Sequence, residues 1–190
     1  MTRIASPLAR LRRFTRARSG ATAIEFAIIG IPLFMLVFGL LELGLVLLVS
    51  ATLDTAIDFA SRDIRTGNFQ TSGKITAKDF EERVCRNMTW LASGCTSRLS
   101  VEAETFATFT AAGASTPQAP DEFEDDSPRC WSVGAPGDIV LVRAYYVWPL
   151  FTPLLDASLQ NRGDGTRLIG SARAFRNEPY SNDGPVGAKC

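Results

Sequence analysis

Residues 26–49, FAIIGIPLFMLVFGLLELGLVLLV, constrain this chain more than any other stretch, because they run for 24 positions with Glu42 as their single charge. As a helix rising about 1.5 Å per residue they cover about 36 Å, enough to cross a bilayer with some tilt. Six arginines precede them, Arg3, Arg10, Arg12, Arg13, Arg16 and Arg18, and the first acid along the chain is Glu25. A basic, acid-free segment before an apolar run is held on the cytoplasmic side while the run inserts. The expected orientation is N-terminus in, C-terminus out.

A cleaved secretory signal and an arginine-rich mitochondrial presequence share the basic opening. The apolar stretch from Phe26 to Leu41, its renewal from Leu43 to Val49 and the lack of a clear small-x-small exit favour a retained anchor. At 190 residues the chain has room for one modest domain beyond that anchor. Formal charge balances at 20 basic against 20 acidic groups, but without the leader arginines 14 basic groups face 20 acids, a net of −6. An acidic remainder without a basic stripe argues against a nucleic-acid partner. There is no histidine, which removes Ser-His-Asp and Cys-His catalysis and the commonest metal ligand.

Two carboxylates need a reason, since a charge at the centre of a span costs roughly 2.5–3.5 kcal/mol on insertion scales. Glu25 lies at the cytoplasmic edge. Were the chain cut after Gly20, Ala21 would carry a free α-amine, with a reference pKa of about 7.7–8.0, four residues before Glu25, on the same helix or a neighbour. Glu42 reads either as a carboxylate near the outer interface or as an intramembrane contact between helices. Pro32 removes one backbone donor and leaves the carbonyl of Ile28 without its usual partner, so a mild kink or a loosened turn is expected there. Gly30, Gly39 and Gly44 make no GxxxG.

The order basic leader, Gly20, Ala21-Thr22-Ala23-Ile24-Glu25-Phe26, then a long apolar helix resembles the class III signal of type IV pilin-like proteins. In that family a prepilin peptidase cuts after the glycine and a glutamate stands fifth in the mature chain, as Glu25 does when Ala21 is first. The form GATAIEFAIIGIP, with Pro32 and a long domain after the span, resembles the TadE/TadF-like minor pseudopilins of the tight adherence (Flp) type IVb pilus system. The resemblance covers residues 10–66; beyond them it is one of general layout. It implies processing at Gly20-Ala21 and helix registration through Glu25 and Phe26. The implied partners are the inner membrane, the prepilin peptidase, other pilins or pseudopilins and the pilus assembly machinery.

Past the span, Leu53, Ile57, Ala60 and Ile64 recur at helical spacing and predict an amphipathic stem, with Asp58 and Arg62 as an i,i+4 pair. Arg62 and Arg65 suit its C-terminal end and Gly67 can close it. Thr76-Ala77-Lys78-Asp79 reads as a helix N-cap, with Phe80, Val84, Met88 and Leu91 as the apolar face of a short helix. Residues 98–110, 138–149 and 166–176 read as three strands, and Tyr146 and Trp148 as packing residues of a small core. Residues 113–128 read as a solvated acidic loop, since the ligand spacing of an EF-hand is missing. Cys85, Cys95, Cys130 and Cys190 lie on the external side, where an even number suggests disulfides. Cys85 with Cys95 is the local choice, leaving Cys130 with Cys190.

The expected fold is therefore α+β and pilin-like: a long N-terminal transmembrane helix continuing into a stem, followed by a small antiparallel sheet domain with a short helix. The expected divisions are a basic cytoplasmic leader at 1–20, the helix and stem at 21–66 and an extracytoplasmic domain at 67–190. The expected function, as the resemblance implies, is that of a minor pseudopilin in pilus assembly at the bacterial inner membrane, without catalytic residues, metal or cofactor. Two other readings stay open. One is an uncleaved single-pass component of the same apparatus; the other is a membrane-tethered enzyme or ligand-binding module with its site in residues 67–190.

Overall fold

In a computed structural model the described residues are 20–73, 75–117, 130–152 and 156–181. The arginine leader, most of the acidic stretch expected at 113–128, and Cys190 lie outside them. The chain divides into two units, Met1–Leu41 and Glu42–Cys190.

Helix α1 spans Ala21–Arg65 and runs through both units. An α-helix satisfies its own backbone groups, which is what an apolar run without polar neighbours requires. Pro32 lies inside the helix and does not end it. In the first unit nearly every apolar side chain is exposed, including Phe26, Ile28, Ile29, Leu36 and Leu40. The stabilising contacts available there are local ones, such as Phe34 with Phe38 one turn on, ring centroids 6.3 Å apart.

From Glu42 onward one side of α1 is buried. Val46, Val49, Leu53, Ala56, Ile57, Ala60 and Ile64 follow one another at helical spacing and are almost fully removed from solvent. The stem face expected from Leu53 to Ile64 thus extends back through Val49 and Val46, residues that the sequence reading assigned to the span, and it forms one wall of the domain's core. Gly67 closes the helix: its φ is 79°, its N–H donates to the Ile64 carbonyl at 3.1 Å, and the Tyr180 ring lies 2.6 Å from where a Cβ would stand. Only glycine meets both demands at low cost.

A single turn, α2 (Asn68–Thr71), leads to α3 (Ala77–Asn87). Thr76 and Asp79 cap α3 reciprocally, the Asp79 N–H donating to the Thr76 hydroxyl at 3.2 Å and the Thr76 N–H to the Asp79 carboxylate at 3.0 Å. Phe80, Val84, Cys85 and Met88 turn inward, and a 3-10 turn at Thr89–Leu91 follows. Strands β1 (Leu99–Phe106), β2 (Ile139–Pro149) and β3 (Thr166–Arg176) form one antiparallel sheet in the order β1-β2-β3. The strand expected to reach residue 110 stops at Phe106, because the Thr108 side chain accepts from the Ala111 N–H at 3.1 Å and starts the short helix α4 (Phe109–Ala114). A last turn, α5 (Asp156–Leu159), precedes β3.

The register sets Leu99, Val101 and Ala103 beside Tyr146, Ala144 and Val142, with Ile169 opposite Tyr146 on the other side. These side chains share one face of the pleat and pack in the same cluster as the stem and α3. Phe69, Phe80 and Trp131 complete the core, with ring centroids 5.3–6.2 Å apart in tilted and edge-on arrangements. Where β3 meets the edge of α1 the contact turns polar: Ser171 donates to Asp54, and Arg173 lies 3.3 Å from Asp58 and 3.5 Å from Asp54. The opposite face of the sheet carries a buried ion pair, Arg143 to Glu102 at 2.7 Å, joined by the Tyr145 hydroxyl and by the Ser115 carbonyl and side chain.

Candidate functional site: the N-terminal segment and its carboxylates

Gly20 is exposed and immediately precedes the first helical residue, Ala21. Four residues on, about one turn and 6 Å along the axis, Glu25 is also exposed. It has no hydrogen bond or ion pair among the described residues. Phe26 is 70% exposed, and its ring edge lies 3.6 Å from the Cβ position of Gly30, an ordinary van der Waals distance. The segment thus presents an exposed Gly20 at the start of the helix, an exposed carboxylate about one turn later and an aromatic ring next to it in sequence.

Glu42 is placed very differently. It is 3% exposed and accepts from two consecutive backbone N–H groups, Phe151 and Thr152, the latter at 2.9 Å. Hydrogen bonds to an ionised acceptor are the stronger kind, and two together replace much of the hydration that a buried carboxylate loses. The sequence reading expects an interfacial acid or a contact between helices; within the fold the charge is met by the loop after β2. A signal was there in principle, since a lone acid in an apolar run demands a partner, but nothing in sequence spacing points from residue 42 to residue 151.

The cysteine expectation is met where it can be followed. Cys85 and Cys95 are bonded, with Cα atoms 5.7 Å apart, tying α3 to the segment before β1. Cys130 is also disulfide-bonded, and its expected partner, Cys190, lies outside the described residues. Sequence reasoning missed the Arg143–Glu102 pair, although the two face each other in the β1–β2 register.

A groove of about 270 Å³ is lined by Asp58, Ser61, Arg62, Arg65, Arg173, Ala174 and Phe175. Arg173 is already held by Asp54 and Asp58, and Arg65 pairs with Glu178 at 3.4 Å. The groups with displaced titration stand elsewhere. Burial pushes Tyr146 up against the opposing effect of Arg98; burial and then Asp138 push Tyr180 up; the Thr166 hydroxyl pulls Asp164 down. Among the described residues no cluster of three or more His, Cys, Asp or Glu could hold a metal ion.

By fold, the described residues hold one N-terminal helix long and apolar enough to cross a membrane, followed by a small α+β domain with a three-stranded antiparallel sheet. That arrangement fits a single-pass membrane protein. Residues 20–62 match the family model described as TadE-like protein, so Gly20, Glu25, the apolar run and most of the stem are similar to that family of the tight adherence pilus system. No curated protein and no solved structure matches the chain.

Proposed function

We propose that the protein is a minor pseudopilin acting in assembly of tight adherence pili, processed by a prepilin peptidase after Gly20. The observation that carries this reading is the coincidence of the TadE-like match, which starts at Gly20, with an exposed Gly20 at the start of the helix and an exposed Glu25, without a partner among the described residues, about one turn into it. The arginine leader and the apolar run insert the precursor into the inner membrane with its N-terminus in the cytoplasm. Cleavage removes residues 1–20, frees the Ala21 α-amine and discards the arginines that could otherwise neutralise Glu25. An amine on the same or a neighbouring helix then pairs with Glu25 and sets the register between subunits, with Phe26 packing alongside. The domain, held by Cys85–Cys95 and by a Cys130–Cys190 bridge, stands in the oxidising space outside the membrane. Its role is one of assembly and contact, without catalysis of its own.

Sequencing the N-terminus of protein from cells with and without the peptidase tests this directly. The mature chain should begin at Ala21 only when the peptidase is present, and Gly20→Ala should block the change. A chain that still begins before Ala21 in the presence of an active peptidase refutes processing and leaves an uncleaved component of the apparatus.

A further inference from the structure

The apolar run does not end where the domain begins. If α1 left the bilayer at Glu42, the segment from Phe26 to Leu41 would span only about 24 Å, short of the roughly 30 Å hydrocarbon core. Carried through to Leu48 it spans about 34 Å, and the next charge along the helix is Asp54. Over residues 42–49, however, one side of the helix is covered by its own domain: Glu42, Val46 and Val49 are buried, while Leu43, Leu47 and Leu48 are exposed.

Beside this two-sided stretch lies an aromatic chain. Phe151, whose N–H binds the Glu42 carboxylate, is 65% exposed and packs edge-on against Trp148 at 5.8 Å. Trp148 in turn meets Trp90 at 6.3 Å, and Trp90 is 49% exposed with its indole N–H donating to the Thr52 hydroxyl at 3.3 Å. An exposed Phe, then a buried Trp, then a half-exposed Trp with a polar end is the gradation that suits a membrane–water interface.

From this we infer that the Glu42 end of the domain is itself a lipid-contacting surface, with Leu47, Leu48 and Phe151 facing acyl chains and Trp90 at headgroup level. The Glu42 carboxylate is what makes immersion tolerable. Its two amide donors match the charge, and the carboxylate matches two loop N–H groups that would otherwise be unsatisfied in a dry setting. The domain is seated in the outer leaflet rather than held off it on a free stalk. The inference rests on the reading of residues 26–48 as a membrane span, and not on processing at Gly20.

The test is quenching of tryptophan emission by brominated acyl chains, with the full-length chain reconstituted in phosphatidylcholine vesicles. Trp131, in the core against Phe69 and Phe80, supplies the unquenched baseline. Phe34→Trp reports whether the run is inserted at all, and Phe151→Trp reports the proposed surface. Emission added by either variant should fall about twofold or more in brominated lipid, as expected for rings at or below headgroup level. The wild-type chain should lose part of its quenching when Trp90 is replaced by Phe. Quenching of Phe34→Trp without quenching of Phe151→Trp overturns the lipid surface while leaving the span intact, whether water or a second copy covers the patch instead. Absence of quenching in both overturns the span and the surface together.

Discussion

Two glutamates on one helix mark the contrast between the two parts of this molecule. Glu25 stands in a stretch where side chains project outward and its carboxylate has no partner among the described residues. Glu42 opens the second unit, where the carboxylate is buried and bonded to two amides. The same contrast holds more widely. The segment before Glu42 is a helix whose exposed apolar surface and exposed acid find no cover among the described residues. From Glu42 onward the notable buried charges, Glu42, Glu102 and Arg143, are met from within. One part is unfinished without its surroundings; the other folds around its own charges.

The contrast can be attacked first at the buried ion pair. Arg143→Ala leaves Glu102 buried with only the Tyr145 hydroxyl, and breaking such a pair costs about 3–5 kcal/mol. Urea unfolding of the full chain in micelles, followed by tryptophan emission, should show that loss. The double variant Glu102→Leu/Arg143→Met should lose less than Arg143→Ala alone, because no charge is stranded. Equal losses would show that the pair's geometry, and not its charge balance, holds the sheet face together.

The disulfide comes next. Cys85 and Cys95 are separated by 10 residues in sequence, and closing a loop of this length is worth about 2–3 kcal/mol in the chain-entropy account. Replacing both by Ala should lower domain stability by that amount, as read by the same unfolding curve. Helicity of the apolar segment, read by circular dichroism in micelles, should survive. If it fell in parallel, the two parts would not be separable in the way Glu25 and Glu42 suggest.

The glutamates themselves give a smaller and more pointed comparison. Glu42→Gln exchanges one acceptor oxygen for a donor facing the Phe151 and Thr152 amides, and should cost about 1–3 kcal/mol as an unsatisfied buried group. Amide hydrogen exchange should quicken at Phe151 and Thr152 in particular. Glu25→Gln should leave the unfolding of the domain unchanged. A matching loss of stability from Glu25→Gln would erase the distinction.

Much of this was readable in the sequence, and the part that was not has a common cause. The helical period of Leu53, Ile57, Ala60 and Ile64, the Thr76–Asp79 cap, Gly67 as a left-handed terminator and the three strands are local signals, and each is carried by spacing. The Cys85–Cys95 pair is nearly local. The Glu42 clamp joins residues 109 and 110 positions apart, and the Arg143 pair joins residues 41 apart. Such pairings depend on strand register and loop path, which periodicity does not encode. The end of β1 was missed for a smaller reason, a Thr108 cap that outweighs strand pattern over Phe109–Ala114. Gly20 and Glu25 differ in kind: the resemblance that singles them out is linear, in order along the chain, and the TadE-like match over residues 20–62 covers both.

The weakest expected effect separates the two parts by pH. Tyr146 and Tyr180 hold their protons more tightly in the fold than a free tyrosine does, chiefly because burial disfavours the phenolate, although Arg98 and Gln70 respectively act against that. An unfolded tyrosine ionises near pH 10. Below that value both residues are neutral in both states and their contribution to stability is fully present. As pH rises above about 10 the unfolded chain releases protons first, so stability should fall progressively through the higher folded values. Phenolate absorbance of Tyr146 and Tyr180 should therefore rise later in the folded chain than in the urea-unfolded one, and Tyr146→Phe should flatten part of the alkaline decline in unfolding free energy. All three tyrosines lie beyond Glu42, so residues 20–41 have none to titrate. Helicity of that segment in micelles should stay level across the same window, since its stability is set by apolar surroundings and not by any proton the domain gains or loses.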